Sequence, residues 1–372
     1  MKKVLVIAPY TYLPYSSGGQ KYIAKFLEHL GKETSLTVIG TSTNDWTLAK
    51  GYVALPLLTP SFSRYYDSSL VKKISMLIER EGHEILILEH PYMAWLAFRI
   101  RKRTGIKVII QTHNIEYQRF RSLGKWWWPV LKEYEKRSFK KADALFFITK
   151  EDREFAIENW QLEAVKCYDV PFGIDHGNFP ADREESKVII YKRHGIRPGD
   201  VLLSFNGVLN YKPNLDALKI ILTEINPRLM KQDGFHYKIL ISGRDLPSEM
   251  KELLAYEEKN IVFTGFAEDI EKYLEATDVF LNPVQSGGGI KTKIVEAIGY
   301  GATVVSMESG AEGLNKEVCG EKLFIIKDND WGSFTSEIIK ASNQRNSTPP
   351  GFYQYYQWQH IVTNLLETSS IK

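Results

Sequence analysis

Between residues 286 and 297 the chain reads Ser-Gly-Gly-Gly-Ile-Lys-Thr-Lys-Ile-Val-Glu-Ala, and these residue types at this spacing suit an anionic ligand. Three consecutive glycines, Gly287, Gly288 and Gly289, let backbone amides come close to a bound group. The apolar pattern behind them predicts a helix over 291–300, with Gly301 placed to end it. Loop amides would then meet the partial positive charge of a helix N-terminus, a setting that suits phosphate. Lys291 and Lys293 fall in the first turn, where a cation opposes the helix dipole by roughly a few tenths of a kcal/mol. An anion would reverse that penalty. Glu296, three residues beyond Lys293, shares its helix face and can accept two hydroxyls of a ribose. A plain glycine-rich turn with solvated lysines explains the same segment, so the surroundings have to decide.

Other polar groups stand at the ends of apolar runs in the first half. His113 sits in Gln-Thr-His-Asn-Ile-Glu after the run 108–111, and Glu89-His90 follows the run 85–88. A single histidine at a strand end is often structural, and Glu116 suits capping of a following helix. Glu89 and His90, at the end of that earlier run, are weaker candidates for a substrate contact.

Such residues need a frame. Runs rich in Val, Ile and Leu recur at 3–8, 35–39, 85–88, 108–111 and 144–148, with helical patterns between them, as at 20–30, 93–102 and 151–159. Continuous apolar runs suit strands buried on both faces of a parallel sheet. After the polar stretch 180–186 the rhythm restarts at 201–205, 238–242, 261–264, 279–281 and 303–306, with a weaker run at 322–326. Helices are expected at 214–225 and 269–276 as well as at 291–300. The alternation predicts an α/β chain of two Rossmann-like domains, residues 1–180 and 181–350. Residues 351–372 read as one aromatic-rich amphipathic helix, with Trp358, Ile361, Leu365 and Leu366 near one face, that must dock on one of the domains. Ligands bind at the carboxyl edges of such sheets, and two domains in tandem create a cleft between two such edges.

Bulk properties narrow the classes. A chain of 372 residues is long for one core, and 44% hydrophobic with 25% charged residues is an ordinary globular composition. A net charge of +3 gives no reason to expect nucleic acid. No stretch approaches the roughly 18 apolar residues of a membrane span. The opening run of apolar residues is too short for a signal peptide and reads as a first strand, so a cytoplasmic location is expected. Cys167 and Cys319 are far apart and support neither a disulfide framework nor a zinc site. One stretch departs from the average. From Arg99 to Lys141 basic residues dominate, and Trp126, Trp127 and Trp128 lie in the middle. Tryptophan beside basic residues suits an anionic membrane surface, while a solvated face with packed tryptophans is the alternative.

Several segments then fall into a familiar order. Gly18-Gly19 lie behind the first strand, His113-Asn114-Ile115-Glu116 after a middle strand, and Lys-Lys-Ala-Asp-Ala-Leu-Phe-Phe-Ile-Thr-Lys-Glu-Asp at 140–152. Val-Pro-Phe-Gly-Ile-Asp follows at 170–175, and Leu-Leu-Ser-Phe-Asn-Gly-Val at 202–208. Ile241-Ser242-Gly243-Arg244, Val-Phe-Thr-Gly-Phe at 262–266, the glycine-rich loop, Gly-Ala-Glu-Gly-Leu at 310–314 and a terminal helix with Trp358 complete the series. Over nearly the whole chain this resembles the retaining GT-B glycosyltransferases of the large family 4, also called group 1. The resemblance implies two Rossmann-like domains facing each other across a cleft, with a C-terminal helix crossing back to the N-terminal domain. It implies transfer of a hexose-type sugar from a nucleoside diphosphate sugar to a glycan, lipid-linked or small-molecule acceptor, without metal or cofactor, as in polysaccharide biosynthesis. It assigns catalytic roles to His113, Lys293 and Glu296. Donor contacts fall to Gly18, Gly19, Lys212, Arg244, Phe266, Gly287, Gly288, Gly289 and Ile290. A lipid-linked acceptor would be met at the inner membrane face, through the basic stretch.

The departures are specific. Many relatives carry two glutamates eight positions apart around the loop, and here Gly288 stands in the first position. A usual arginine is Val208, its companion lysine position falls on Pro213 beside Lys212, and Phe172 replaces a usual Asn. Phosphate neutralisation then rests on Lys293, Lys212 or Arg244, and on amides near Gly289. A nucleotide-sugar epimerase would need acid and base groups around the sugar, and no compelling set is present. A phosphorylase would need a lysine-bound pyridoxal and a much longer chain. A nicotinamide-dependent dehydrogenase would want G-x-G-x-x-G directly after the first strand. A binding protein that kept the fold and lost turnover remains the other reading.

Overall fold

The computed structural model describes residues 1–248, 250, 259–287, 289–344 and 346–369. The chain forms two compact units, Met1–Asp175 with Tyr356–Lys372, and His176–Tyr355.

The first unit holds seven strands: β1 (Lys3–Ala8), β2 (Ser35–Thr41), β3 (Val53–Leu58), β4 (Ile85–Glu89), β5 (Lys107–Thr112), β6 (Ala144–Phe147) and β7 (Cys167–Asp169). They pair in parallel in the order β3-β2-β1-β4-β5-β6-β7. Every residue of β4 is buried, as an inner strand covered on both faces requires. The edge strands β3 and β7 were not expected from the sequence. β3 contains Pro56 and is mostly accessible, and β7 has three residues, so neither carries a continuous apolar run.

The second unit holds β8 (Val201–Asn206), β9 (Tyr237–Ser242), β10 (Ile261–Gly265), β11 (Val279–Asn282), β12 (Thr303–Met307) and β13 (Leu323–Ile326). Their parallel order is β10-β9-β8-β11-β12-β13, and each coincides with an expected run. In both sheets the chain first builds outward on one side and then returns to the other. β1 and β4, and likewise β8 and β11, are therefore neighbours whose following loops diverge, which opens a crevice at their carboxyl ends.

The terminal segment differs from the single helix expected over 351–372. It is two helices, Pro350–Tyr356 and Trp358–Thr368, separated at Gln357. Ile174 N–H donates to Tyr356 O at 2.7 Å and Trp358 N–H donates to Ile174 O at 3.0 Å, so the chain pairs as a short bridge instead of continuing as helix. Trp358 is buried against Gly173, where an added Cβ would come 2.6 Å from the indole. Phe172 and Tyr22 pack edge-on to the same ring, which accounts for an aromatic side chain at 172. Helix Trp358–Thr368 lies against helix Gly18–Glu33 of its own unit. Among the described residues no helix is long and apolar enough to cross a membrane.

Candidate functional site

β11 runs into the glycine-rich loop, and helix Thr292–Gly299 begins behind it with Lys291 at the N-cap, one residue later than expected. Among the described residues no side chain caps its first turn, where Ile294 N–H donates to Lys291 O at 2.8 Å. Gly287 and Gly289 have φ of +89° and +73°, which a side chain would strain. Gly288 lies outside the described residues. A Cβ at Gly287 would sit 3.3 Å from both Pro213 Cγ and Tyr211 Oη, so the loop rests on the segment that follows β8. Lys291 curls back and donates to Gly287 O at 2.6 Å and Gly289 O at 2.9 Å. Burial lowers its pKa, with Glu312 acting against the shift.

Lys293 reaches across the crevice to β8. Its ammonium donates to Asn214 Oδ1 at 3.1 Å and Asn206 O at 3.4 Å, and lies 4.4 Å from the centroid of the Phe205 ring. All three partners are neutral. Burial, and then the neighbouring Lys291, push its pKa down to about 7. Asn214 is held by a bond from Nδ2 to Val208 O at 3.0 Å, so the residue in place of a usual arginine serves through its carbonyl. Gly207, at φ +154°, leaves room for Asn214, because a Cβ there would come 2.6 Å from Nδ2.

The other expected donor residues are less committed. Lys212 is highly exposed and donates to Asp216 at 2.7 Å. Arg244 follows β9 and its side chain approaches Asp245 at 3.5 Å, while its carbonyl accepts from Leu209 N–H at 2.9 Å. Phe266 follows β10 with its ring exposed. Ile290 and Glu296 are half-buried, and Glu296 stands one turn beyond Lys293 on the same helix. Gly310 packs on the Asn282 amide at the ends of β11 and β12. The structure thus gathers Gly287, Gly289, Lys291 and Lys293 around Asn206 and Asn214. Asn206 and Asn214 were not singled out from the sequence, and Lys291, read there as a first-turn cation, is tied to two loop carbonyls. The one cue was an asparagine just inside a helix, behind a glycine that ends a strand.

His113, Gly18 and Gly19 belong to the first unit. Ser17 caps helix Gly18–Glu33 by accepting from Gln20 N–H, and a Cβ on Gly19 would meet nothing within 4 Å. His113 is buried at the end of β5, with Nε2 2.8 Å from Glu89 Oε2. Its ring stacks on His90 at 4.1 Å. His90 Nδ1 lies 3.1 Å from Glu116 Oε1, and Glu116 Oε2 accepts from Tyr92 Oη at 2.5 Å and Arg119 at 3.3 Å. Burial would raise the Glu116 carboxyl, yet these donors outweigh it and hold the pKa at about 2. Glu116 therefore does not cap its helix. Glu135 does, accepting the amides of Glu116 and Tyr117 at 2.8 and 3.0 Å. Of the three tryptophans, Trp127 packs on Phe120 and Trp128 near Tyr117, while Trp126 is 85% exposed. No cluster of His, Cys, Asp or Glu among the described residues is arranged to hold a metal ion.

Sequence families agree with this layout. A model described as Glycosyltransferase Family 4 matches residues 16–178, and one described as Glycosyl transferases group 1 matches residues 201–344. The chain belongs to the group 1 glycosyltransferase family and has the GT-B fold. An uncharacterised glycosyltransferase of Methanocaldococcus jannaschii is 27% identical over 58% of this chain and 53% of its own length. The curated relatives are matched over only 36% and 53% of their lengths. Among solved structures, a glycosyltransferase from Rickettsia africae superposes with a TM-score of 0.74 at 13% identity, over 98% of this group 1 chain and 97% of that one. Anabaena HepE in complex with UDP gives 0.71 at 13% identity, with 100% of both chains covered. Likenesses at such identity speak for the fold.

Proposed function

We propose that this group 1 glycosyltransferase takes a hexose-type sugar from a nucleoside diphosphate sugar and passes it, with retention, to a glycan or lipid-linked acceptor in polysaccharide biosynthesis. The observation that carries the proposal is Lys293, a shielded ammonium whose partners among the described residues are neutral, beside a glycine-rich loop and a helix N-terminus that no side chain caps. A diphosphate supplies the missing negative charge. Amides of the loop and first helical turn, with Lys293 and Lys291, then stabilise the charge that builds on the departing oxygen. That arrangement calls for neither metal nor cofactor. Glu296 holds the ribose hydroxyls, and the base rests near Gly265 and Phe266. Lys212 and Arg244 would have to leave Asp216 and Asp245 to assist.

Because HepE was solved with UDP and with UDP-glucose, UDP-sugars lead the test panel. A thermal-shift screen of UDP-, GDP-, ADP- and TDP-sugars should show one base raising the melting temperature by mass action. No shift with any nucleotide would sink the donor assignment. Turnover lost in Lys293→Ala and Glu296→Ala separates a transferase from a binding protein, which would hold the nucleotide without consuming it.

The membrane contact is a separate part of the proposal. Trp126, Leu123 and Val130 are exposed in a stretch rich in Arg and Lys, a combination that suits an anionic inner membrane face approached from the cytoplasm. Co-sedimentation with anionic vesicles at low salt should retain the wild type and release Trp126→Ala. Equal recovery of both in the supernatant would remove this contact.

A further inference from the structure

The crevice between β1 and β4 carries polar groups that donor binding does not use. Tyr10 lies two residues past β1 and His90 directly past β4, and their rings meet edge-on at 5.0 Å. The His90 imidazole is held on both faces, by His113 at 4.1 Å and Tyr92 at 5.5 Å. Its backbone has φ +66° and ψ 158°, a region that only glycine enters without strain, so surrounding contacts hold the ring in place against a conformational cost.

The protons can be placed. Burial, and then His113, lower the His90 pKa, so the ring is neutral near pH 7. With Glu116 ionised 3.1 Å from Nδ1, the ring proton sits on Nδ1 and leaves a lone pair on Nε2. Nε2 bonds to none of the described residues. Among the described residues the Tyr10 hydroxyl has no partner although buried, and neither has Glu89 Oε1. Burial, then Tyr92 and Tyr65, keep the phenol protonated. A buried hydroxyl without a partner is uncommon enough to need a ligand or water to explain it.

We propose that Tyr10 and His90 form a binding site for a neutral sugar hydroxyl of the acceptor, which donates to His90 Nε2 and accepts from Tyr10 O–H. Glu116 and His113 are positioning residues that fix the imidazole. The site rests on the glycosyl-transfer reading above, yet it lies wholly within the first unit, so the two can fail separately.

The test uses the full chain labelled with ¹⁵N-histidine and the methyl glycosides of glucose, galactose and mannose as probes. The resonance missing in His90→Gln identifies His90. In the wild type it should report an unprotonated Nε2 near neutral pH and shift with at least one glycoside. Tyr10→Phe, which removes a single oxygen, should weaken that glycoside about tenfold, while nucleoside diphosphate affinity stays within about twofold. Absence of any glycoside response in the wild type overturns the proposal. So does full glycoside affinity in Tyr10→Phe, or a parallel loss of nucleotide binding. A glycoside response without any nucleotide binding would leave this site standing and remove the donor assignment.

Discussion

The Lys293 ammonium lies 4.4 Å from the centroid of the Phe205 ring, and Phe205 is fully buried in β8. A ring face and two amide oxygens can host a cation without neutralising it. Burial at this place, and then the neighbouring Lys291, lower the Lys293 pKa to about 7, so the ammonium titrates near neutrality.

Donor affinity should therefore depend on pH. The charged form binds the diphosphate, and its folded pKa is about 7 against an ordinary 10.5. Affinity is full below pH 7 and falls as pH rises, by up to about tenfold per unit. A nucleotide sugar has no titrating phosphate in this range, so the slope belongs to the protein. Calorimetry at pH 8 in buffers of different ionisation enthalpy should show proton uptake on binding. In the ligand-free protein the unfolded chain binds the extra proton between pH 7 and 10.5, so this lysine makes stability rise with pH across that window.

Lys293→Met should separate stability from binding. Removing a desolvated cation that has no counter-charge among the described residues is expected to stabilise the ligand-free fold by on the order of 1 kcal/mol. Loss of a charge-assisted contact to phosphate should weaken the nucleotide sugar about 10- to 100-fold. Thermal melts and calorimetry on one preparation read both signs.

Gly207→Ala tests the support behind the lysine. The new Cβ would come 2.6 Å from Asn214 Nδ2 and strain a backbone at φ +154°. Displacement of Asn214 removes the nearest hydrogen-bond partner of Lys293. Stability should fall by about 1–3 kcal/mol in urea titrations, with weaker donor binding alongside. Unchanged affinity would mean that Asn214 does not set the lysine.

Gly173→Ala addresses the other unit. Its Cβ would meet the Trp358 indole at 2.6 Å, and the indole is boxed in by Tyr22 and Phe172. Overpacking should cost about 1–3 kcal/mol and loosen helix Trp358–Thr368, visible as faster amide exchange there. Nucleoside diphosphate affinity, proposed to rest on Lys293 and the glycine-rich loop, should not change.

By itself the sequence determined the α/β class, all six strands of the second sheet and the inner strands of the first, because buried parallel strands need continuous apolar runs. It also marked the glycine-rich loop, since only glycine accepts the left-handed backbone found at Gly287 and Gly289. Tertiary structure decided the rest. β3 and β7 exist because an edge can pair without being buried. The terminal helix breaks at Gln357 because Ile174, distant in sequence, takes over its backbone hydrogen bonds. Lys293 could be read as a cation near phosphate, but its depressed pKa comes from burial, and then from Lys291, once pairing of β8 with β11 brings Phe205, Asn206 and Asn214 against it. His90 and His113 looked like two unrelated strand ends. Adjacent strands bring those ends together, and only that neighbourhood turns them into stacked imidazoles, each tied to its own carboxylate.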